Sequence, residues 1–140
     1  MDQIDLHTLE LFLDWMKRKI RLQVLTRVIY FYEREIWWAS LGENIGSEEN
    51  GKHAQFERPV IVLKRVSADL LFVIPISTVI KSGSWYVTFD FHGGQRSALL
   101  VQTRSISSQR LIRKMGTIER KVFLVIQKTF ISYIQNGTLG

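Results

Sequence analysis

The sequence predicts a mainly β, α+β domain: a small antiparallel barrel or strongly curved sheet with one helix before it and one after it. Short runs rich in β-branched and aromatic residues succeed one another from residue 35 to residue 102 with only polar turns between them. Apolar residues recur at helical spacing on either side of that block. No helix-patterned stretch lies between the runs, whereas a parallel sheet needs crossovers of about a dozen residues or more.

Leu9, Phe12, Leu13, Met16 and Ile20 line one face of a helix from Asp5 to about Val24, started by Asp5 or Thr8. This stripe is expected to pack on the body of the protein, with Lys17 to Arg21 solvated. The predicted strands are Glu35–Leu41, Pro59–Lys64, Leu70–Ile76, Trp85–Phe91 and Ala98–Gln102, with room for a sixth. Gly93 and Gly94 lie between two of them and read as a hairpin turn, not a phosphate loop. Residues 42–57 form a long polar loop, of a length commonly functional in a compact domain. Thr117 is expected to cap a closing helix to about Gln135, with Val122, Val125, Ile126, Thr129, Phe130, Tyr133 and Ile134 inward and Gly137 as its stop.

A chain of 140 residues suffices for one domain with a real core, described as an N-terminal helical extension, 1–30, and a barrel domain, 31–140. The absence of cysteine excludes a disulfide framework and a thiol nucleophile, and a reducing cytoplasm is the expected location. The longest apolar stretches fall short of the ~20 residues that span a bilayer, so no membrane association is expected. Of the 19 basic and 13 acidic side chains, residues 1–100 carry twelve of each, so the excess lies after residue 100, where only Glu119 opposes Arg104, Arg110, Arg113, Lys114, Arg120, Lys121 and Lys128. A localised positive field of this kind suits nucleic acid, an acidic protein partner or a solubilising face. His7, His53 and His92 are scattered and read as surface residues, Glu48 and Glu49 read as solvated, and no metal site or cofactor is predicted. Composition alone singles out no catalytic group.

The stretches REIWWASLGENIGSE, ERPVIVLK, FVIPIST and VQTRSISSQRLIRKMGTI, in that order, resemble the MazF/PemK family of toxin endoribonucleases over residues 31–136. The resemblance implies an SH3-like barrel that forms homodimers, cuts single-stranded mRNA at short sequence motifs without a metal, and is restrained by an acidic antitoxin. It implies a type II toxin whose catalytic residues are Arg58, directly before Pro59, and the hydroxyl of Ser77, two residues beyond Pro75. The Gly-Ser-Glu loop falls at Gly46, Ser47 and Glu48, and the Gln-x-Arg signature at Gln102 and Arg104, followed by Arg110. Glu48, Gln102, Arg104 and Arg110 are the implied substrate-binding residues. Two departures stand out: many relatives carry Thr where Ser77 stands, and Lys52 to Phe56 lengthen the loop before Arg58.

Residue chemistry agrees with these roles. Attack of an RNA 2′-OH on its own phosphate leaves a 2′,3′-cyclic phosphate and a 5′-OH, and needs proton transfer and cationic stabilisation of the phosphorane but no outside nucleophile. Arg58 supplies a permanent charge in a planar fork and is a poor base, so it fits phosphorane stabilisation, with Ser77 donating to the same phosphate. The general base is open, with Glu48 the carboxylate candidate by resemblance. Trp37, Trp38 and Trp85 read as base-stacking platforms or as core and dimer interface. The other class of function is a non-catalytic toxin or binding module of the same fold, resembling the gyrase poisons or a degenerate antitoxin-binding relative.

Overall fold

The computed structural model describes residues 3–25, 27–46, 48–52 and 56–137. Helix α1, Leu6–Val24, is followed by strands β1, Glu35–Ser40, β2, Glu57–Arg65, β3, Leu70–Ser77, β4, Tyr86–Phe91, and β5, Gly94–Leu99. A 3₁₀ turn at Leu100–Gln102, strand β6, Arg104–Ser107, a second 3₁₀ turn at Ser108–Arg110, strand β7, Leu111–Thr117, and helix α2, Arg120–Asn136, complete the chain. The seven strands pair antiparallel in the order β4-β5-β3-β2-β1-β7, with β6 on β3. The expected antiparallel sheet with a helix at each end is therefore present. Closure into a barrel is not, because among the described residues no ladder joins β4 to β7.

The middles of the central strands are buried on both faces, which is why VIVL and VIPI read as continuous apolar runs, while Phe72 just before the second is exposed. Ile61, Leu63, Ile74 and Ile76 pack with Phe89, Phe91, Phe123 and Ile126 on one side, while Val60, Val62, Leu71 and Val73 pack with Phe31, Leu41, Ile106 and Leu111 on the other. Strand β3 carries β6 along its first half and β5 along its last two residues, so its edge changes partner just before Ser77. The hairpin between β4 and β5 turns at His92 and Gly93, both at positive φ as a two-residue turn requires.

Several expectations are corrected. The predicted strand Ala98–Gln102 is the end of β5 followed by a 3₁₀ turn, and β6 and β7 follow it. Helix α2 begins after Glu119, not after Thr117, and Glu119 makes no side-chain capping bond. Its inward line is Phe123, Ile126, Phe130 and Tyr133, leaving Val125 and Ile134 in solvent; Gly137 does stop it, at φ 54°. Helix α1 is capped by Asp5, which accepts the Thr8 N–H at 3.0 Å, but of its predicted inward stripe Leu9, Leu13, Met16 and Ile20 are exposed and Phe12 is half-buried. The residues that seat it are Leu11, Trp15 and Leu22, packed on Phe56. Arg18, expected to be solvated, reaches the Ser40 hydroxyl at 3.4 Å, and burial, then Arg27 and Arg21, holds its guanidinium below the ordinary value.

The start of β1 is held by a buried carboxylate. Glu35 accepts the Tyr32 N–H at 2.8 Å and the Trp37 ring N–H at 3.0 Å, and pairs with Lys114 of β7 at 2.8 Å. Burial pushes its carboxyl up, but the bonds from Lys114, Trp37 and Tyr32 outweigh burial and hold it below the ordinary 4.5. A depressed carboxyl contributes stability above its unfolded value and loses it as the pH falls through the folded one. Glu35→Gln should therefore cost about 1–3 kcal/mol near pH 7 and much less at pH 3, measured by urea unfolding. An equal cost at both pH values would contradict the assignment.

Candidate functional site

Arg58 stands second in β2, and its guanidinium lies beneath a cleft of about 220 Å³ that Trp38, Lys52, Glu57, Pro59, Ile76, Ser77, Thr78 and Arg96 also line. The residue is 8% exposed, so its charge needs internal partners. Nε donates to the Asn50 carbonyl at 2.8 Å, one terminal nitrogen donates to the Ile76 carbonyl at 3.1 Å, and the other pairs with Glu49 at 2.9 Å. Of the five N–H donors an arginine carries, these bonds use three and leave two for a ligand in the cleft. Ser77 ends β3 on the same cleft, half-buried. Its Oγ accepts the Val79 N–H at 3.1 Å, which leaves the hydroxyl proton free to donate outward.

The loop before β2 is folded by its own polar groups. Asn44 donates to the Leu41 and Glu49 carbonyls at 3.1 and 2.7 Å, and its N–H is accepted by Asn50 Oδ1 at 2.6 Å. Gly51 approaches so closely that a Cβ there would stand 1.5 Å from the Phe56 carbonyl oxygen. The outcome is that Glu49 and Asn50 face Arg58.

A second cleft of about 480 Å³ joins Glu48, Glu49, Gln102 and Arg104 with Leu41, Pro75, Val101, Thr103 and Ser105. Glu49 belongs to both sites: its carboxylate holds Arg58, and its N–H is accepted by Gln102 at 3.2 Å. Glu48 instead points to solvent and accepts the Ile45 N–H at 2.8 Å. The two glutamates expected to be equally solvated thus differ. Sequence reading missed Glu49 and Asn50, which adjacency alone could not separate from Glu48. It also missed Arg96.

Arg110 is placed apart from both clefts. Its guanidinium lies 5.5 Å over the Trp15 ring and donates to the Ser40 carbonyl at 3.2 Å, so it anchors α1. Burial, then the charge of Arg104, holds it below its ordinary value. Two more of the basic residues beyond position 100 are engaged internally: Arg113 pairs with Glu57 at 3.2 Å and stacks on Trp38 at 4.9 Å, and Lys114 holds Glu35. Trp37 bonds Glu35 and packs in the core, and Trp85 packs on Tyr133 at 5.1 Å. Of the Trp candidates, only Trp38 borders the Arg58 cleft.

His7 and His92 are exposed, while His53 and Ser47 lie outside the described residues. Among the described residues no group of three or more His, Cys, Asp or Glu side chains could hold a metal, and no helix is long and apolar enough to cross a membrane.

Residues 32–134 match the family described as PemK-like, MazF-like toxin of type II toxin-antitoxin system, and the chain belongs to that family. No curated protein sequence matches it. The crystal structure of MazF (Form-I) from Deinococcus radiodurans superposes with a TM-score of 0.62 at 21% identity, over 76% of this chain and 99% of that one. The Mycobacterium tuberculosis toxin MazF-mt6 gives 0.56 at 18% identity, over 73% and 97%. An endoribonuclease in complex with its cognate antitoxin, from a mycobacterial species, gives 0.56 at 10% identity, over 79% and 100%. At these identities the likeness is one of fold, and α1 precedes the matched residues.

If Arg58 and Glu49 depend on each other, their truncations should not add. Single Arg58→Ala and Glu49→Ala changes and the double change should show a coupling of about 1–3 kcal/mol in urea unfolding. Additive losses would mean that the pair is incidental.

Proposed function

We propose that the protein is the toxin of a type II toxin-antitoxin system, a sequence-specific endoribonuclease that cleaves single-stranded mRNA in the cytoplasm by attack of the RNA's own 2′-OH. The observation that carries this reading is that Arg58 and Ser77, far apart in sequence, line one cleft with donors to spare. In the reaction the 2′-oxygen bonds to phosphorus and the P–O5′ bond breaks; the 2′ proton leaves and the 5′-oxygen gains one. Arg58 donates its two remaining N–H groups to the phosphorane oxygens, where negative charge accumulates. Ser77 donates its hydroxyl to the same phosphate. Glu49 holds the guanidinium in place, which spares the transition state the cost of orienting it.

Gln102 and Arg104 in the adjoining cleft bind the neighbouring nucleotides, with Glu48 at its rim. Arg110 acts indirectly, through α1. A homodimer and an acidic antitoxin that occupies the RNA-binding cleft complete the proposal. Its support is the family membership, together with related toxins crystallised with their antitoxins.

Purified protein should cut single-stranded RNA in excess EDTA and leave 2′,3′-cyclic phosphate and 5′-OH ends. Ser77→Ala should slow cleavage by about 10²-fold, the lower range for loss of one oxyanion donor, and Ser77→Thr should retain it. A 5′-phosphate product, or activity restored only by a divalent ion, would overturn the mechanism. RNA left uncut under all conditions would favour the non-catalytic reading.

A further inference from the structure

Helix α1 carries two apolar faces. The inner one is buried at Trp15 and Leu22 and half-buried at Leu11, and Trp15 sits so close to Gly42 that a Cβ there would lie 1.9 Å from its ring. The outer one is Leu6, Leu9, Leu13, Met16 and Ile20, exposed by 70, 39, 48, 59 and 60%. Leu6, Leu13 and Ile20 are spaced by seven residues, as are Leu9, Met16 and Gln23. This is the a/d spacing of a short coiled-coil seam, flanked by Phe12 and Val24. With Ile45 and Phe12 the seam forms an open apolar groove of about 790 Å³.

We infer that this face binds the α1 helix of a second copy of the chain in antiparallel orientation. Centred between Asp14 and Trp15, that register stacks Leu9 on the partner's Ile20 and Leu13 on the partner's Met16, with both layers repeated by symmetry. It also sets Glu10 beside the partner's Lys17, and Lys17 beside the partner's Glu10, two opposite-charge pairs related by symmetry on the same flank of the seam. The parallel register instead places Asp5 beside the partner's Glu10, two like charges. An acidic peptide is disfavoured because Glu43 and Glu48 wall the groove beside Lys19. A membrane surface is disfavoured because Glu10 and Asp14 alternate with the lysines along the exposed side.

A helix of 19 residues is short for an isolated coiled coil, but α1 is already ordered by its inner face, so pairing carries no nucleation cost. The paired α1 residues lie outside the family-matched span, although Ile45 at the groove's edge lies within it, and the contact does not rest on the nuclease reading.

The chain has no cysteine, so introduced thiols report the register directly. Leu13→Cys protein mixed with Met16→Cys protein should give a covalent dimer under mild oxidation, and neither variant alone should. Lys17→Glu should weaken the association, and Glu10→Lys combined with Lys17→Glu should restore it. Leu13→Glu with Met16→Glu should halve the assembly mass in sedimentation, from tetramer to dimer where the proposed toxin homodimer forms through other residues and from dimer to monomer where it does not, with the circular dichroism of the fold retained. Cross-linking of Leu13→Cys to itself, or none in the mixture, overturns the proposal. So does a double variant that keeps its mass but loses binding to phosphatidylglycerol vesicles or to an acidic antitoxin, which would make one of those the occupant.

Discussion

The Arg58 guanidinium is charged, almost fully enclosed and bonded in three directions, and that constraint organises the surrounding chain. A cation of this burial is tolerable only with a counter-ion and with carbonyl acceptors at fixed places. The end of β3 must therefore present the Ile76 carbonyl, which sets Ser77 on the next position along the cleft. The polar loop must in turn fold back far enough to bring the Asn50 carbonyl and the Glu49 carboxylate to β2. The internal bonds of Asn44, the close approach at Gly51 and the burial of Phe56 against Trp15 are the local means by which this polar segment does so.

The same loop carries α1. Trp15 is wedged between Gly42, Phe56 and Arg110, so a helix outside the family-matched span rests on the segment that supplies Glu49. Glu48 touches the α1 groove on one side and the Gln102 and Arg104 cleft on the other. A change in how α1 is covered is thus mechanically adjacent to the proposed RNA-binding surface. The basic excess after residue 100 reads in sequence as one localised field, suited to nucleic acid, an acidic partner or a solubilising face; in the fold, Arg113 and Lys114 pair with Glu57 and Glu35, and Arg110 seats the helix.

What was legible in the sequence follows from the physics of each signal. The strands through β4 were marked by dense β-branched runs, and β6 and β7 escaped because RSIS and LIRKMGT alternate with polar side chains and are separated by 3₁₀ turns. Periodicity located α1 and its cap but not its orientation. Both of its faces are apolar, and the large Trp15 ring won the core over a stripe of smaller aliphatics. In α2 the inward line was blurred by Val125 and Ile134, apolar residues one position off the true face. At the site, Arg58 and Ser77 were marked only by the family resemblance, through Pro59 and Pro75, whereas choosing Glu49 over Glu48 required a loop conformation that no local pattern encodes.

The central claim is that Arg58 acts on the transition state and not chiefly on RNA affinity. Its most direct test is single-turnover cleavage of a defined RNA by the Arg58→Ala protein, with binding to an uncleavable 2′-deoxy analogue measured alongside. The cleavage step should fall by about 10²-fold or more, the range for a lost oxyanion donor, while affinity changes by less than about tenfold because Arg104 still attracts the backbone. A cleavage rate equal to the parent's, or a loss explained wholly by weakened binding, would contradict the account.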